Sequence, residues 1–259
     1  MQLQQLTQIV NKLFYDNSSS YKTIMSIEKE LLSIIGSTTR VNKLDDTKVN
    51  NYFQELIKRG NKPTTINNKM MYLSKVLTYA QRTKLIQYKP YIPTMKIKTT
   101  KEKALTKEEY NLILNYSKSD TELHTIIVLG YNTGIRISNI LALSPKDIDN
   151  GYIRVYENKT NEPYSVPMNE SVKEVLQDFK GFTLNYRQVE YRFKQMIKAL
   201  KLDTTITIHT LRHTICTNLV KKGVPLPVVQ ALMNHKRITT TMRYNHLRNE
   251  QLEEAVSML

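Results

Sequence analysis

The chain has 259 residues, enough for one large domain or two ordinary ones, and 40% of them are hydrophobic, enough for real cores. Thirty-eight Lys and Arg against 23 Asp and Glu give a formal net charge of +15, a surplus that points to a polyanionic partner. Cys216 is the only cysteine, Met1–Leu6 has no signal-peptide pattern, and runs such as Ile126–Leu129 are far too short for a membrane span, so a disulfide scaffold, a secreted protein and a membrane protein are not expected.

The first hundred residues read as short amphipathic helices. Leu3, Leu6, Ile9, Val10 and Leu13 recur at helical spacing, as do Ile24, Ile27, Leu31, Ile34 and Ile35 before Gly36. Val49, Tyr52, Phe53, Leu56 and Ile57 predict a third helix ending at Gly60. A fourth follows Pro63, with Ile66, Met70, Leu73, Leu77 and Ala80 facing inward. Short connections make these a compact helical bundle over residues 1–90. The polar face of the fourth helix carries Thr64, Thr65, Asn67, Asn68, Lys69 and Lys75. That face suits phosphate contact, and an ordinary solvated surface is the equal alternative.

From Tyr88 to Lys103 the periodicity breaks. Pro90, Pro93 and the basic residues Lys96, Lys98, Lys101 and Lys103 predict a semi-extended linker over 91–104, suited to lie along a phosphate backbone. Thr106-Lys-Glu-Glu109 then has the capping-box pattern that opens a helix and a second domain, 105–259. Apolar helices follow at Glu122–Asn132 and from about Arg136. Tyr152–Tyr156 and Tyr164–Val166 flank a polar turn holding Lys159, which predicts a hairpin. The rest reads as helix: Glu170–Phe179, Tyr186–Leu200, His209–Lys222, Pro225–Asn234, Thr239–His246 and Asn249–Met258. The fold class expected is mainly α with a small β-sheet.

One ordered set of residues suggests chemistry. A phosphodiester attacked by an oxygen nucleophile gains negative charge on its non-bridging oxygens, and guanidinium forks meet that charge with paired hydrogen bonds. Arg136 and Arg212 would be such a pair. His209 and His235 supply further donors and exchange protons near neutral pH, and Lys159 at a hairpin tip is placed to protonate a leaving oxygen. Tyr244 would be the nucleophile, its phenol needing a cationic pocket to attack at pH 7. No metal or other cofactor is required, because two arginines can take the part that Mg²⁺ plays elsewhere. His209 and His213 share a helical face, but Thr210 stands where a metalloprotease helix needs glutamate. Each residue alone has a duller reading, as a surface salt bridge, a solvated turn or one of sixteen tyrosines. The argument rests on the set.

That set resembles the tyrosine recombinase, or phage integrase, family. Thr133-Gly-Ile-Arg136-Ile-Ser-Asn-Ile-Leu-Ala-Leu143 looks like the family's first arginine box. Lys159-Thr with Tyr164-Ser-Val-Pro167 resembles its lysine hairpin, His209-Thr-Leu-Arg212-His213 its His-x-x-Arg box, and Leu232-Met-Asn-His235 with Tyr244 its final box. The resemblance covers Leu105 to Leu259. The N-terminal bundle fits the family's core-binding domain in size, helical pattern and position. Three departures stand out: Asn139 where the family usually has a carboxylate, Asn234 in place of the usual glycine, and Thr210 in place of a frequent aspartate.

The resemblance implies an N-terminal core-binding domain and a C-terminal catalytic domain closing as a C-shaped clamp on double-stranded DNA at a specific core site. It implies a site-specific recombinase (integrase) that cuts and rejoins DNA through a 3′-phosphotyrosine on Tyr244, with neither ATP nor metal. Arg136, Arg212 and His235 would hold the phosphate, His209 would assist proton handling and Lys159 would act as general acid. Thr64, Thr65, Asn67, Lys69, Lys96, Lys98 and Lys101 would contact DNA. A homotetramer on two DNA sites, accessory DNA-bending or directionality proteins, and a cytoplasmic, nucleoid-associated setting also follow from the resemblance. The segment Gln251–Leu259 has an apolar stripe for docking on a neighbour or on its own domain. A type IB topoisomerase would share fold and chemistry without needing a site, and a catalytically silent DNA-binding regulator would share the charge.

Overall fold

The computed structural model describes residues 1–16, 18, 20–97, 103–157 and 163–244. Lys98, Lys101, Lys159 and the whole segment 245–259, with its expected last helix, lie outside the described residues. The chain divides into two compact units, Met1–Thr100 and Lys101–Leu259.

The first unit is a bundle of α1 (Leu3–Tyr15), α2 (Tyr21–Ile35), α3 (Asp46–Lys58) and α4 (Pro63–Arg82). Its core uses most of the residues that the periodicity assigned, among them Leu3, Leu6, Val10, Leu31, Val49, Leu56, Met70, Leu73 and Leu77, whereas Leu13 and Ile57 at the helix ends are exposed. Asp45 caps α3 by accepting from Lys48 N at 2.9 Å, and Pro63 takes the first turn of α4, where no backbone donor is needed. A polar knot runs through this core. Buried Glu28 accepts from Thr7 at 2.5 Å and from Asn11 at 2.7 Å, and Tyr72 donates to Asn11 at 2.9 Å. Three helices are thereby tied by hydrogen bonds that compensate a carboxylate taken out of water.

The stretch after α4 departs from the linker expectation. Residues 91–97 form neither helix nor strand, but they are sewn back onto the bundle. Tyr91 N donates to Asp46 at 2.7 Å, and Asn67 grips the backbone of Met95 with both ends of its amide, at 2.7 and 2.9 Å. Ile92 and Met95 rest against the bundle core. The backbone donors and acceptors of a chain without helix or sheet must be met somehow, and here the bundle's side chains meet them.

The second unit opens with α5 (Lys107–Ser117), whose capping box forms as expected: Thr106 Oγ1 accepts from Glu109 N at 3.1 Å and Glu109 accepts from Thr106 N at 2.9 Å. Then come α6 (Thr121–Thr133), the short α7 (Ile137–Ile140), strands β1 (Ile148–Asp149), β2 (Tyr152–Tyr156) and β3 (Pro163–Pro167), and α8 (Glu170–Leu176). α9 (Tyr186–Ala199), α10 (Ile208–Lys221), α11 (Leu226–Leu232) and α12 (Ile238–Met242) complete it. The strands form one antiparallel sheet in the order β1-β2-β3, with Ile153 opposite Val166. Only β2 and β3 were legible; β1 has two residues and no alternation to read. α8 also stops three residues early, and Phe179 and Phe182 leave it to pack as a tilted ring pair, centroids 4.9 Å apart. α6 runs through the middle of the unit, with Ile126, Ile127 and Leu129 fully buried, and α10 lies against it. Gly130 lets the two approach, since a Cβ there would meet Leu211 Cδ1 at 3.3 Å.

Candidate functional site

Three sequence boxes meet at the ends of α6, α10 and α11, and Arg212 joins them. It stands in the second turn of α10, 5% exposed, and donates one terminal nitrogen to the carbonyl of Gly134 and the other to the carbonyl of Met233. Gly134 closes α6 in the left-handed region, φ +66°. A Cβ at that position would lie 2.7 Å from Met233 Sδ, so glycine is required by conformation and by space alike. The turn it makes delivers Ile135 to the core and Arg136 to the start of α7.

Arg136 is half-buried. Its NH1 pairs with Glu157 Oε2 at 2.9 Å and its NH2 donates to the carbonyl of Asn234 at 3.1 Å. Glu157, at the end of β2, is 12% exposed in its side chain and also accepts from Asn234 Nδ2 at 3.1 Å. Asn234 has φ +43°, a left-handed conformation that asparagine tolerates better than most residues, which accounts for its standing where glycine is usual. Asn139 is buried, with the Tyr164 hydroxyl next to it. A carboxylate reaches the site from Glu157, just past β2, which bonds Arg136 and Asn234.

The electrostatics of the pocket are those of crowded cations. Burial first, then the nearby Arg136 guanidinium, push Arg212 down to about 10, which leaves it charged at neutral pH. Burial, then Arg212, Arg136, Arg243 and His213, push His235 down to about 4, so its imidazole is neutral. His235 Nδ1 shares a hydrogen bond with Thr241 at 2.9 Å, and Gln230 donates to its carbonyl at 2.9 Å. Burial likewise raises the Tyr164 phenol. Groups that resist further positive charge this strongly form a ready receptor for an anion.

Tyr244 packs against the small cluster of Cys216, Val229 and Met233, and its hydroxyl is hydrogen-bonded to Nδ1 of His213. The His209 ring stands edge-on to His213, centroids 4.7 Å apart at 88°. The set singled out from sequence is therefore brought together for Arg136, Arg212, His235 and Tyr244, with His209 next to it on the exposed start of α10. Lys159 lies outside the described residues. Sequence reading missed Glu157, and it weighed His213 only as half of a metal pair; the helical i, i+4 spacing was the available signal for the latter.

In the first unit, Thr64 and Lys96 are exposed and Thr65 is half-buried. Asn67 and Lys69, also expected as DNA contacts, have partners within the unit. Asn67 is spent on Met95, and the Lys69 ammonium pairs with Glu30 at 2.5 Å and donates to Asn61 at 2.8 Å, with only 11% of the side chain exposed. Lys75 is also engaged, its ammonium 4.2 Å from the ring centre of Tyr15. Among the described residues no helix is long and apolar enough to cross a membrane.

The phage integrase family is matched by residues 103–251. The integrase of Escherichia phage P2 is 30% identical over 207 residues, a match covering 77% of this chain and 60% of that protein. The tyrosine recombinase XerC of Pediococcus pentosaceus is 27% identical over 259 residues, covering 88% of this chain and 86% of that one. Among solved structures, the Tn1549 transposon integrase in complex with a circular intermediate DNA superposes with a TM-score of 0.86 at 20% identity, over 100% of both chains. A lambda integrase tetramer bound to a Holliday junction gives a TM-score of 0.73 at 19% identity, over 92% of this chain and 79% of that one. The fold is theirs. The chain belongs to the phage integrase family of tyrosine recombinases.

Proposed function

We propose that this chain is a site-specific recombinase that cuts and rejoins double-stranded DNA, with Tyr244 as nucleophile. The observation that carries the reading is geometric: Arg136, Arg212 and His235 meet at one buried place, where burial first and their mutual charge second depress Arg212 and His235, beside a tyrosine hydroxyl hydrogen-bonded to His213. A scissile phosphate between the arginines would relieve their repulsion and receive the donors that Arg212 does not spend on carbonyls. The Tyr244 Oη–P bond forms as the P–O5′ bond breaks, and Lys159 supplies the proton that leaves with the 5′-hydroxyl. A 5′-hydroxyl then attacks the phosphotyrosine, and the strand is resealed. One phosphodiester is exchanged for another of similar energy, so the reaction needs no ATP.

The first unit is read as the core-binding domain, with Thr64, Thr65, Lys96, Lys98 and Lys101 as phosphate contacts, which Asn67 and Lys69 would join by exchanging their partners within the unit. Assembly of four protomers on two DNA sites is proposed by likeness to the lambda integrase tetramer on its Holliday junction. The deciding experiment incubates the chain with supercoiled plasmid carrying the DNA that flanks its gene, in EDTA, and quenches with SDS. Protein covalently joined to DNA is expected from the wild type and none from Tyr244→Phe. Equal adduct from both would overturn the assignment of Tyr244.

A further inference from the structure

We propose that His213 is a further catalytic residue, the acceptor of the Tyr244 proton as the phenol attacks. The inference rests on Tyr244 being the nucleophile and adds to that reading the fate of its proton, a task the sequence pattern alone gives to His209.

The geometry is specific. His213 Nδ1 is hydrogen-bonded to the Tyr244 oxygen, the rings 5.9 Å apart and tilted by 35°. The position of that nitrogen is fixed from behind. His213 follows Arg212, whose two bonds to the carbonyls of Gly134 and Met233 lock the helix at this point, and Thr214 next to it bonds back to Thr210 at 2.7 Å and accepts from Leu105 N at 2.9 Å. Tyr244 is held from its own side by the Cys216, Val229 and Met233 cluster. The His209 ring sets its plane at a right angle against His213 one turn earlier. Donor and acceptor are thus seated on separate packed elements.

The proton balance is simple. With its hydrogen on Nε2, His213 accepts at Nδ1. As Tyr244 Oη bonds to phosphorus its acidity rises, and the proton moves along the existing hydrogen bond to leave an imidazolium. The bond from phosphorus to O5′ breaks with a proton from a different group. In the resealing step the same imidazolium returns its proton to the departing Tyr244 oxygen. A neutral imidazole suits this because its free pKa, about 6.5, lies near working pH, whereas a free phenol at about 10 needs a base to lose its proton there.

The test measures single-turnover adduct formation on a nicked duplex built around the position to which the wild-type adduct maps. His213→Asn keeps a hydrogen-bond acceptor for the tyrosine but cannot take the proton. It is expected to slow adduct formation roughly 100-fold or more with DNA affinity unchanged. Replacing Tyr244 with a fluorinated tyrosine of lower phenol pKa is expected to restore most of that loss, because a more acidic phenol needs less help. Undiminished cleavage by His213→Asn, or a loss that the fluorinated phenol fails to restore, would overturn the proposal and leave His213 as an anchor for the ring. An adduct from Tyr244→Phe would instead overturn the nucleophile itself, and His213 with it.

Discussion

Arg212 reaches the carbonyl of Gly134, 78 residues earlier in the chain, and with its other terminal nitrogen the carbonyl of Met233. The guanidinium therefore assembles the site before it serves it. Arg212→Lys cannot span both carbonyls, and it leaves one of them unmet in a buried place. It is expected to abolish adduct formation and also to lower stability by about 2–4 kcal/mol, read by denaturant unfolding. Full stability with lost activity would mean that the two carbonyl bonds contribute little to the fold.

Gly134→Ala tests the same junction from the other side. The new methyl meets Met233 Sδ at 2.7 Å on a backbone at φ +66°. A loss of about 1–3 kcal/mol is expected, measurable as a lower midpoint of thermal unfolding.

Glu157 is the carboxylate bonded to both Arg136 and Asn234. Glu157→Ala frees a cation and removes a negative charge near the proposed phosphate site. DNA should bind as well or better in a filter assay. Without its partner Arg136 loses orientation, so single-turnover cleavage should fall about 10-fold. Faster cleavage would show that Glu157 is a brake rather than a guide.

Asn234→Gly should be mild, within about 1 kcal/mol, because glycine accepts the left-handed backbone while giving up one amide bond to Glu157. Asn234→Val should cost more than Asn234→Gly, since a branched side chain is strained at φ +43°. A thermal melt of each variant ranks them.

The depressed His235 predicts how stability follows pH. Its folded value of about 4 lies below the ordinary 6.5, so between those values the unfolded chain binds the proton that the folded chain refuses. This contribution is fully present above about pH 6.5 and is lost as pH falls toward 4. His235→Gln should flatten that loss in melts at pH 7.5 and pH 5. A phosphate bound between Arg136 and Arg212 should oppose part of the same shift, since it cancels the charges that add to the effect of burial.

The helices and hairpin were legible because their signals are local: Gly36 after an apolar stripe, the Thr106–Glu109 box, Pro63 at a first turn. That Arg136, Arg212, His235 and Tyr244 belong together could be read from sequence because their chemistry and order are distinctive. What stayed hidden depends on partners distant in sequence. Nothing near Asn67 announces Met95, and nothing near Lys69 announces Glu30. A polar helix face looks the same whether its amides meet phosphate or backbone. Glu157 reads as one more acid at a strand end until the fold sets it against Arg136.

The staple at Arg212 also bears on how such a chain can change length. The segments between its three anchors include exposed turns such as Lys222–Gly223, and doubling a flexible loop costs only about 0.6 kcal/mol in closure entropy. Insertions there would leave the meeting of Gly134, Arg212 and Met233 intact, so long as one guanidinium still finds two carbonyls. The parts of the site can drift apart along the sequence without drifting apart in space.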